Sequence, residues 1–351
     1  MPGSVNLCRL PNPHVRFGIL GHCVHLRAAT KTMSPTPTSQ TGTTALSHVA
    51  LIIPTWNAAR HWPALHASLS LQGLQPQQIL IIDSSSTDGT ADLVRSAGYQ
   101  LVIIPGHDFR HGGTRQHATT YLPWAQIYVY MTQDAEPATV DAVAALVRAF
   151  DDPAVGAAYG RQMPRDSAHP IERHARQFNY AGTSQLRTLA SRDTLGIKAA
   201  FLSNSFAAYR AAALQQVGGF PLDVILAEDS VVAARLLQAG WHIAYRADAA
   251  VLHSHALSLR QEFARYFDTG VHHAREQWLL RDFGGATGEG LRFVQSELRY
   301  LLRHAPLAIP GAVLRTGLKW LAYQLGRRYQ PLPSWLRKRF SAHPNFWLDH
   351  Q

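Results

Sequence analysis

The sequence predicts an α/β fold: a doubly wound, mostly parallel sheet followed by a helical, basic C-terminal region. Three observations carry this. Four short apolar runs recur between residues 49 and 131, helical patterns alternate with them, and polar residues gather directly behind three of the runs.

The runs are Val49–Ile53, Ile79–Ile82, Leu101–Ile104 and Ile127–Met131. Continuous apolar stretches of this length suit strands covered on both faces, as in a parallel sheet. Between and after them, Ala58–Leu71, Thr90–Ala97, Gly113–Tyr121 and Pro137–Phe150 read as helices, so the units are βαβ. Ligands of open α/β sheets bind outside the carboxyl ends of the strands. One sheet edge therefore collects Thr55-Trp56-Asn57, Asp83 to Asp88, and Thr132-Gln133-Asp134.

The flanks differ in character. Residues 1–47 show no sustained period and end in a Ser/Thr/Pro stretch, which reads as a disordered leader with Met33 as an alternative start. His and Arg interrupt every apolar stretch there, against a signal peptide. Residues 48–260 form the expected catalytic domain and 261–351 a helical region.

Composition narrows the function. Of 351 residues, 46% are apolar, enough for a sizeable core. Two cysteines, Cys8 and Cys23, build neither a disulfide-dense fold nor a CxxC zinc site. No uncharged apolar run approaches the roughly 18 residues a membrane span needs. The net charge of +10 invites nucleic acid as a partner. Its distribution argues otherwise: four basic residues lie in 1–47 and nine in 298–351, leaving 20 basic against 22 acidic residues between. The middle is slightly acidic, so no nucleic-acid partner is expected.

Five segments carry chemistry. Asp83 ends the second run, where a carboxylate can accept the imide N–H of a pyrimidine base, and Asp88 five residues later is either a helix N-cap or a ligand contact. Asp134 directly follows the fourth run, and a buried acid there needs a cation or a hydrogen-bond partner; Mg²⁺ or Mn²⁺ suits an oxygen ligand that leaves positions for phosphate. His111-Gly112-Gly113-Thr114-Arg115 lets backbone approach a ligand and offers Arg115 as a fixed cation, or is an ordinary turn. Gly218-Gly219-Phe220 precedes Glu228-Asp229, two acids at a helix start that either suit the helix dipole or supply a general base. His253-Ser254-His255 follows a last apolar run, and either histidine can ligate a metal or meet a phosphate.

In this order these segments resemble the family 2 inverting glycosyltransferases of GT-A fold, most closely a bacterial rhamnosyltransferase branch. The segments that carry it are Pro54-Thr55-Trp56-Asn57, Asp83 to Thr90, Phe109 to Arg115, Thr132 to Ala135, Tyr159-Gly160-Arg161-Gln162-x-Pro164, Gly218-Gly219-Phe220, Glu228-Asp229 and His253-x-His255.

The resemblance implies that Thr55, Asn57 and Asp83 contact the nucleoside, with Asp88 and Arg115 near the base, ribose or phosphates. Asp134 matches the last acid of a DxD motif, which holds the divalent cation, and His253 or His255 completes the metal or phosphate site. Asp229 matches the general base, and Glu228 lies beside it as a substrate contact. Three positions depart from the pattern: Thr132 replaces the first DxD acid, Ser84 follows Asp83 where a second Asp is usual, and Gln116 stands for Asn. The implied reaction is inverting transfer of a sugar, L-rhamnose from dTDP-rhamnose first, onto a hydroxyl of a lipid-linked saccharide in cell-surface polysaccharide synthesis.

The C-terminal region mixes apolar helical positions with Arg299, Arg303, Arg315, Lys319, Arg327, Arg328, Arg337, Lys338 and Arg339. Pro306 and Pro310 should interrupt the helix. Basic residues beside an apolar stripe suit an anionic membrane surface, so the expected location is the cytoplasmic face of the cell membrane, held peripherally. Competing readings are transfer of another hexose to a soluble or protein acceptor, and a non-catalytic membrane adaptor on the same fold. A nicotinamide enzyme is disfavoured, because Pro-Thr-Trp-Asn-Ala-Ala stands where G-x-G-x-x-G would follow the first strand.

Overall fold

A computed structural model describes residues 46–254, 257–285 and 288–348. The leader expected over 1–47 lies almost wholly outside them, as do Cys8, Cys23 and His255.

The strands are β1 (Val49–Thr55), β2 (Ile79–Asp83), β3 (Gln100–Ile103), β4 (Ile127–Met131), β5 (Glu136–Pro137), β6 (Val155–Met163), β7 (Gln185–Arg187), β8 (Phe206–Arg210) and β9 (His242–Leu252). The first helices are α1 (Trp62–Leu69), α2 (Thr90–Ser96), α3 (His111–Thr119), α4 (Ala142–Val147), α5 (Pro170–Asn179), α6 (Arg192–Leu195), α7 (Ala211–Gln216) and α8 (Glu228–Gln238). The four apolar runs are β1 to β4, each within two residues of its expected ends.

One sheet holds all nine strands, ordered β3-β2-β1-β4-β8-β6-β9-β5, with β7 also on β9. β3, β2, β1 and β4 run parallel. Beyond them the sheet is mixed: β8 is antiparallel to both β4 and β6, while β6 and β9 are parallel. Alternate residues of β1 serve opposite layers. Val49, Leu51 and Ile53 pack among Trp62, Leu65, Val94 and Leu146 of α1, α2 and α4. Ala50 and Ile52 belong to the cluster of Ala118, Ala213 and Val231 from α3, α7 and α8. Period-2 alternation between two apolar layers explains why β1 carries no polar face.

This topology places the site. The chain leaves β1 toward β2 and β3, then returns to add β4 on the other side, so the order reverses between β1 and β4 and leaves a crevice at their carboxyl ends. Because β8 is antiparallel to β4, with Met131 opposite Phe206, the turn entering β8 reaches the same edge. The ends of β6 and β9 arrive there too, with Met163 opposite Leu252.

The C-terminal helices are α9 (Leu259–Arg275), α10 (Gln277–Phe283), α11 (Glu289–His304), α12 (Ile309–Arg327) and α13 (Ser334–Phe340). The chain breaks between α11 and α12 as Pro306 requires, and Pro310 sits in the first turn of α12, where its missing N–H costs nothing. α9 and α12 cross with backbones in contact: a Cβ on Gly326 would lie 2.0 Å from Phe267 O, and one on Gly270 would lie 2.3 Å from Tyr323 O. Phe267, Val271, Ala322, Phe346 and Trp347 form a small core around that crossing.

The charge of this region is less free than its count suggests. Arg315 and Lys319 turn inward to Glu262 at 2.8 and 3.6 Å. Arg327 donates to His273 O, and Arg337 to Leu332 O and Gln330 O. Leu302, Val313, Leu314, Trp320 and Trp335 of this region are exposed, and Leu307 is 97% exposed.

Candidate active site

Three clusters meet at the crevice. The first joins the loops after β1 and β2. Thr55 Oγ1 donates to Asp83 Oδ1 at 2.9 Å, and Ser86 donates to both carboxylate oxygens, through its hydroxyl at 2.6 Å and its N–H at 2.8 Å. Asp83 is only 1% exposed yet keeps unused acceptor capacity on Oδ2. Asn57, in the left-handed region at φ 47°, accepts from Thr87 N at 2.9 Å, while its own N–H donates to Ser86 Oγ at 2.7 Å. Asp88 accepts from Thr90 and from Ala59 N. Desolvation opposes its ionisation, but these hydrogen bonds prevail and hold its carboxyl below the usual range. Asp88 thus stitches the β1 loop to the start of α2.

The second cluster holds Asp134 and His253. Gln133 anchors it to the first by a reciprocal pair with Trp56, accepting from Trp56 N at 2.7 Å and donating to Trp56 O at 3.1 Å. Arg165 Nη2 donates to Asp134 O and to Glu136 Oε1, at 2.9 and 2.8 Å. His253, one residue past β9, sets Nε2 3.4 Å from Asp134 Oδ1, and its Nδ1 lies 2.8 Å from Gln162 Oε1. Burial lowers the pKa of His253 despite the nearby Asp134 carboxylate and so favours the neutral ring. A neutral ring that gives its one N–H to Gln162 turns a lone pair toward a carboxylate oxygen. Two acceptors facing each other at this spacing fit a cation between them, and an imidazole nitrogen with a carboxylate oxygen suits a divalent ion. Among the described residues no third His, Cys, Asp or Glu joins them. Thr132, in place of the first acid, keeps a buried hydroxyl without a hydrogen-bond partner among the described residues.

The third cluster is the acid pair at the start of α8. Arg115 Nη1 lies 3.1 Å from Glu228 Oε1, both side chains about 5% exposed. The approach depends on Gly112: a Cβ there would sit 1.8 Å from Pro221 O, so only glycine lets the first turn of α3 lie against the loop leading into α8. Gln116 pins the same loop by accepting from Phe220 N at 2.8 Å. Ala227 holds left-handed backbone at φ 59°, a costly conformation for alanine that aims the two acids.

Their environments push the acids apart. Burial works against ionised Glu228, but Arg115, His111 and the amide of Asn204 outweigh it and lower its pKa. Burial and the Glu228 charge raise Asp229 to about 7, although Asn204 N and Ser230 N donate to its oxygens at 3.1 and 2.8 Å. One acid is thus committed to an ion pair, and the other is poised to exchange a proton near neutral pH.

The expected residues therefore fall into three groups: Thr55, Asn57, Asp83 and Asp88; Asp134 with His253; and Arg115 with Glu228 and Asp229. His255 lies outside the described residues. Arg115 is engaged with Glu228 and His111 O, so its charge is spent inside the protein. Asn204 has no counterpart in the sequence reading. Only 3% exposed, it donates Nδ2 to Glu228 Oε1 at 2.8 Å and accepts from Tyr209 OH at 2.7 Å. Its neighbour Ser203 accepts from Gln162 Nε2 at 2.9 Å, so the Ser203-Asn204 turn ties the second cluster to the third. Nothing in Leu202-Ser203-Asn204-Ser205 marks this locally, because the partners that join the clusters, Glu228 and Gln162, are 24 and 41 residues away.

Comparisons with known proteins show the family of the chain. Residues 50–218 match the family described as glycosyl transferase family 2. The O-antigen chain rhamnosyltransferase RfbN of Salmonella typhimurium strain LT2 is 45% identical over 304 residues, covering 86% of this chain and 97% of that protein. The O-antigen chain rhamnosyltransferase WbaN of Salmonella anatum is 45% identical over 302 residues, 86% of this chain and 96% of that protein. Among solved structures, a mannosyltransferase from Pyrobaculum calidifontis in complex with GDP-Man and Mn²⁺ aligns over 81% of this chain and 88% of its own, with TM-score 0.52 and 21% identity, a likeness of fold.

Proposed function

This chain belongs to glycosyl transferase family 2, and from that premise we propose that it moves L-rhamnose from dTDP-rhamnose to a hydroxyl of a lipid-linked saccharide during cell-surface polysaccharide assembly. The observation that carries the sugar assignment is the 45% identity to two proteins named O-antigen chain rhamnosyltransferases, over nearly their whole length.

In the proposed mechanism Asp229 accepts the proton of the acceptor hydroxyl as its oxygen attacks the anomeric carbon. The nucleoside diphosphate departs from the opposite face, so configuration inverts. A base with pKa near 7 is matched to this task. Glu228 stays ionised against Arg115 and keeps the Asp229 carboxyl from ionising early. Asp83, Thr55 and Asn57 line the nucleoside pocket. Asp134 and His253 would hold Mg²⁺ or Mn²⁺, and such an ion would supply charge compensation for a departing diphosphate.

The acceptor assignment draws on the C-terminal region. No helix among the described residues is long and apolar enough to cross a membrane. Val313, Leu314, Trp320 and Leu321 share one exposed face of α12, Leu307 just before it is exposed too, and Arg299, Arg303 and Arg328 of the same region are exposed with no ion-pair partner among the described residues. Such a surface suits the headgroup layer of an anionic membrane, at about 1 kcal/mol per basic residue near it, on the cytoplasmic side.

Thermal stabilisation with dTDP-rhamnose, UDP-glucose and GDP-mannose, each with and without Mn²⁺, tests the donor assignment. Stabilisation by dTDP-rhamnose that grows with Mn²⁺ is expected. A larger response to either other donor would overturn the sugar.

A further inference from the structure

Gln162 sits at the end of β6, only 2% exposed, and is held on three sides. Arg176 Nη1 donates to its Oε1 at 2.8 Å, its Nε2 donates to Ser203 Oγ at 2.9 Å, and His253 Nδ1 lies 2.8 Å from the same Oε1. A guanidinium only donates, so the amide edge facing Arg176 is the oxygen. A ring nitrogen that meets this oxygen must carry a hydrogen. As a metal ligand the His253 ring carries one N–H; this contact places it on Nδ1 and leaves the lone pair on Nε2, 3.4 Å from Asp134 Oδ1.

We propose that Gln162, oriented by Arg176 and Ser203, is a positioning residue that selects this tautomer of His253 and so makes Nε2 a ligand for the divalent cation held with Asp134. The proposal rests on the reading of Asp134 and His253 as the cation site. The reason is chemical: the other tautomer would point an N–H at the ion, and the two tautomers of a free imidazole are close enough in energy that the partner of the second nitrogen decides between them. The selection is made from a distance in sequence, since Arg176 belongs to α5 and Ser203 to the turn entering β8, and both act on His253 through Gln162.

The test titrates Mn²⁺ alone into the full chain, following free Mn²⁺ by electron paramagnetic resonance. Gln162→Met keeps the volume and removes the acceptor, while Gln162→Glu keeps an oxygen facing both Arg176 and His253. Gln162→Met should weaken Mn²⁺ binding by about 10- to 100-fold, and Gln162→Glu should restore it to within about threefold of wild type. Wild-type affinity in the Met variant, or an equal fall in the Glu variant, overturns the proposal. Asp134→Ala and His253→Ala separate the two ideas: if they abolish binding while Gln162→Met does not, only the role of Gln162 fails, and if they too leave binding unchanged, the cation site itself is misplaced. Should Gln162→Met not fold, ¹⁵N–¹H long-range correlation on the wild-type protein decides the matter. The His253 signals, identified by their loss in His253→Gln, should show hydrogen on Nδ1; hydrogen on Nε2 overturns the proposal.

Discussion

The guanidinium of Arg115 and the carboxylate of Glu228, 3.1 Å apart in a nearly closed pocket, set the charge state of the residue beside them. With Glu228 held ionised, its charge adds to burial and lifts Asp229 to about 7. Removing one member of such a pair strands the other. Arg115→Met should cost about 3–5 kcal/mol of stability, and the double variant Arg115→Met/Glu228→Gln should recover part of it. Urea unfolding of the three proteins measures both; a single variant within about 1 kcal/mol of wild type would mean that the pair is not dry.

Asp229→Asn should lower transfer by about 10²–10⁴-fold while leaving donor binding in place. In the wild type the base must be deprotonated to act, so the rate should rise with pH through about 7 and then level. A rate flat from acid to alkaline pH would assign the base elsewhere.

Asp268 offers a stability readout that is separate from activity. It is fully buried on α9, accepts from Ala342 N at 2.8 Å, and is pushed up to about 7 by desolvation. Between the ordinary carboxyl value near 3.8 and about 7, the unfolded chain releases this proton and the folded chain keeps it, so the group's contribution to stability falls as pH rises through that window and is constant above it. The melting temperature of Asp268→Asn, minus that of wild type, should therefore climb from about pH 4 to about pH 7 and then level. Differential scanning fluorimetry across that range reads it; a constant difference would place the group's folded value near its ordinary one.

The α9–α12 crossing should tolerate no side chain. Gly326→Ala puts a methyl 2.0 Å from Phe267 O, which is backbone and cannot rotate away. The helices must separate, at a cost of about 1–3 kcal/mol. Gly311→Ala on the same helix meets nothing within 4 Å and should be neutral or slightly stabilising. Thermal melts of both variants compare them directly.

Membrane affinity should depend on the exposed stripe. Leu314→Ser/Trp320→Ser removes two side chains that are 59% and 65% exposed and touch little of the fold. It should reduce flotation with anionic vesicles without changing the melting temperature. Neutralising Arg315 and Lys319, which face Glu262, should affect stability more than flotation. Equal flotation of the Ser variant and wild type would remove the membrane from the proposed function.

Much of the frame was legible in the chain. Continuous apolar runs announced β1 to β4, because a strand covered on both faces can spare no polar position, and Pro, Asp and Thr marked where each ends. The acids at the strand ends stood out because burial makes an unpartnered carboxylate costly. What each acid does depends on distance, which spacing along the chain does not encode. Asp88 proved to be tied to backbone, Arg115 faces Glu228 in place of open solvent, and two of the nine C-terminal basic residues share an ion pair with Glu262. The antiparallel insertion of β8 also left no local mark, yet it brings Ser203 and Asn204 to the crevice. Periodicity and residue type thus determined the layers and the edge where chemistry gathers. Only the tertiary fold decided which charges are paired, which nitrogen of His253 faces Asp134, and which of two adjacent acids carries a pKa near 7, because desolvation and Coulomb coupling act over a few ångströms between residues far apart in sequence.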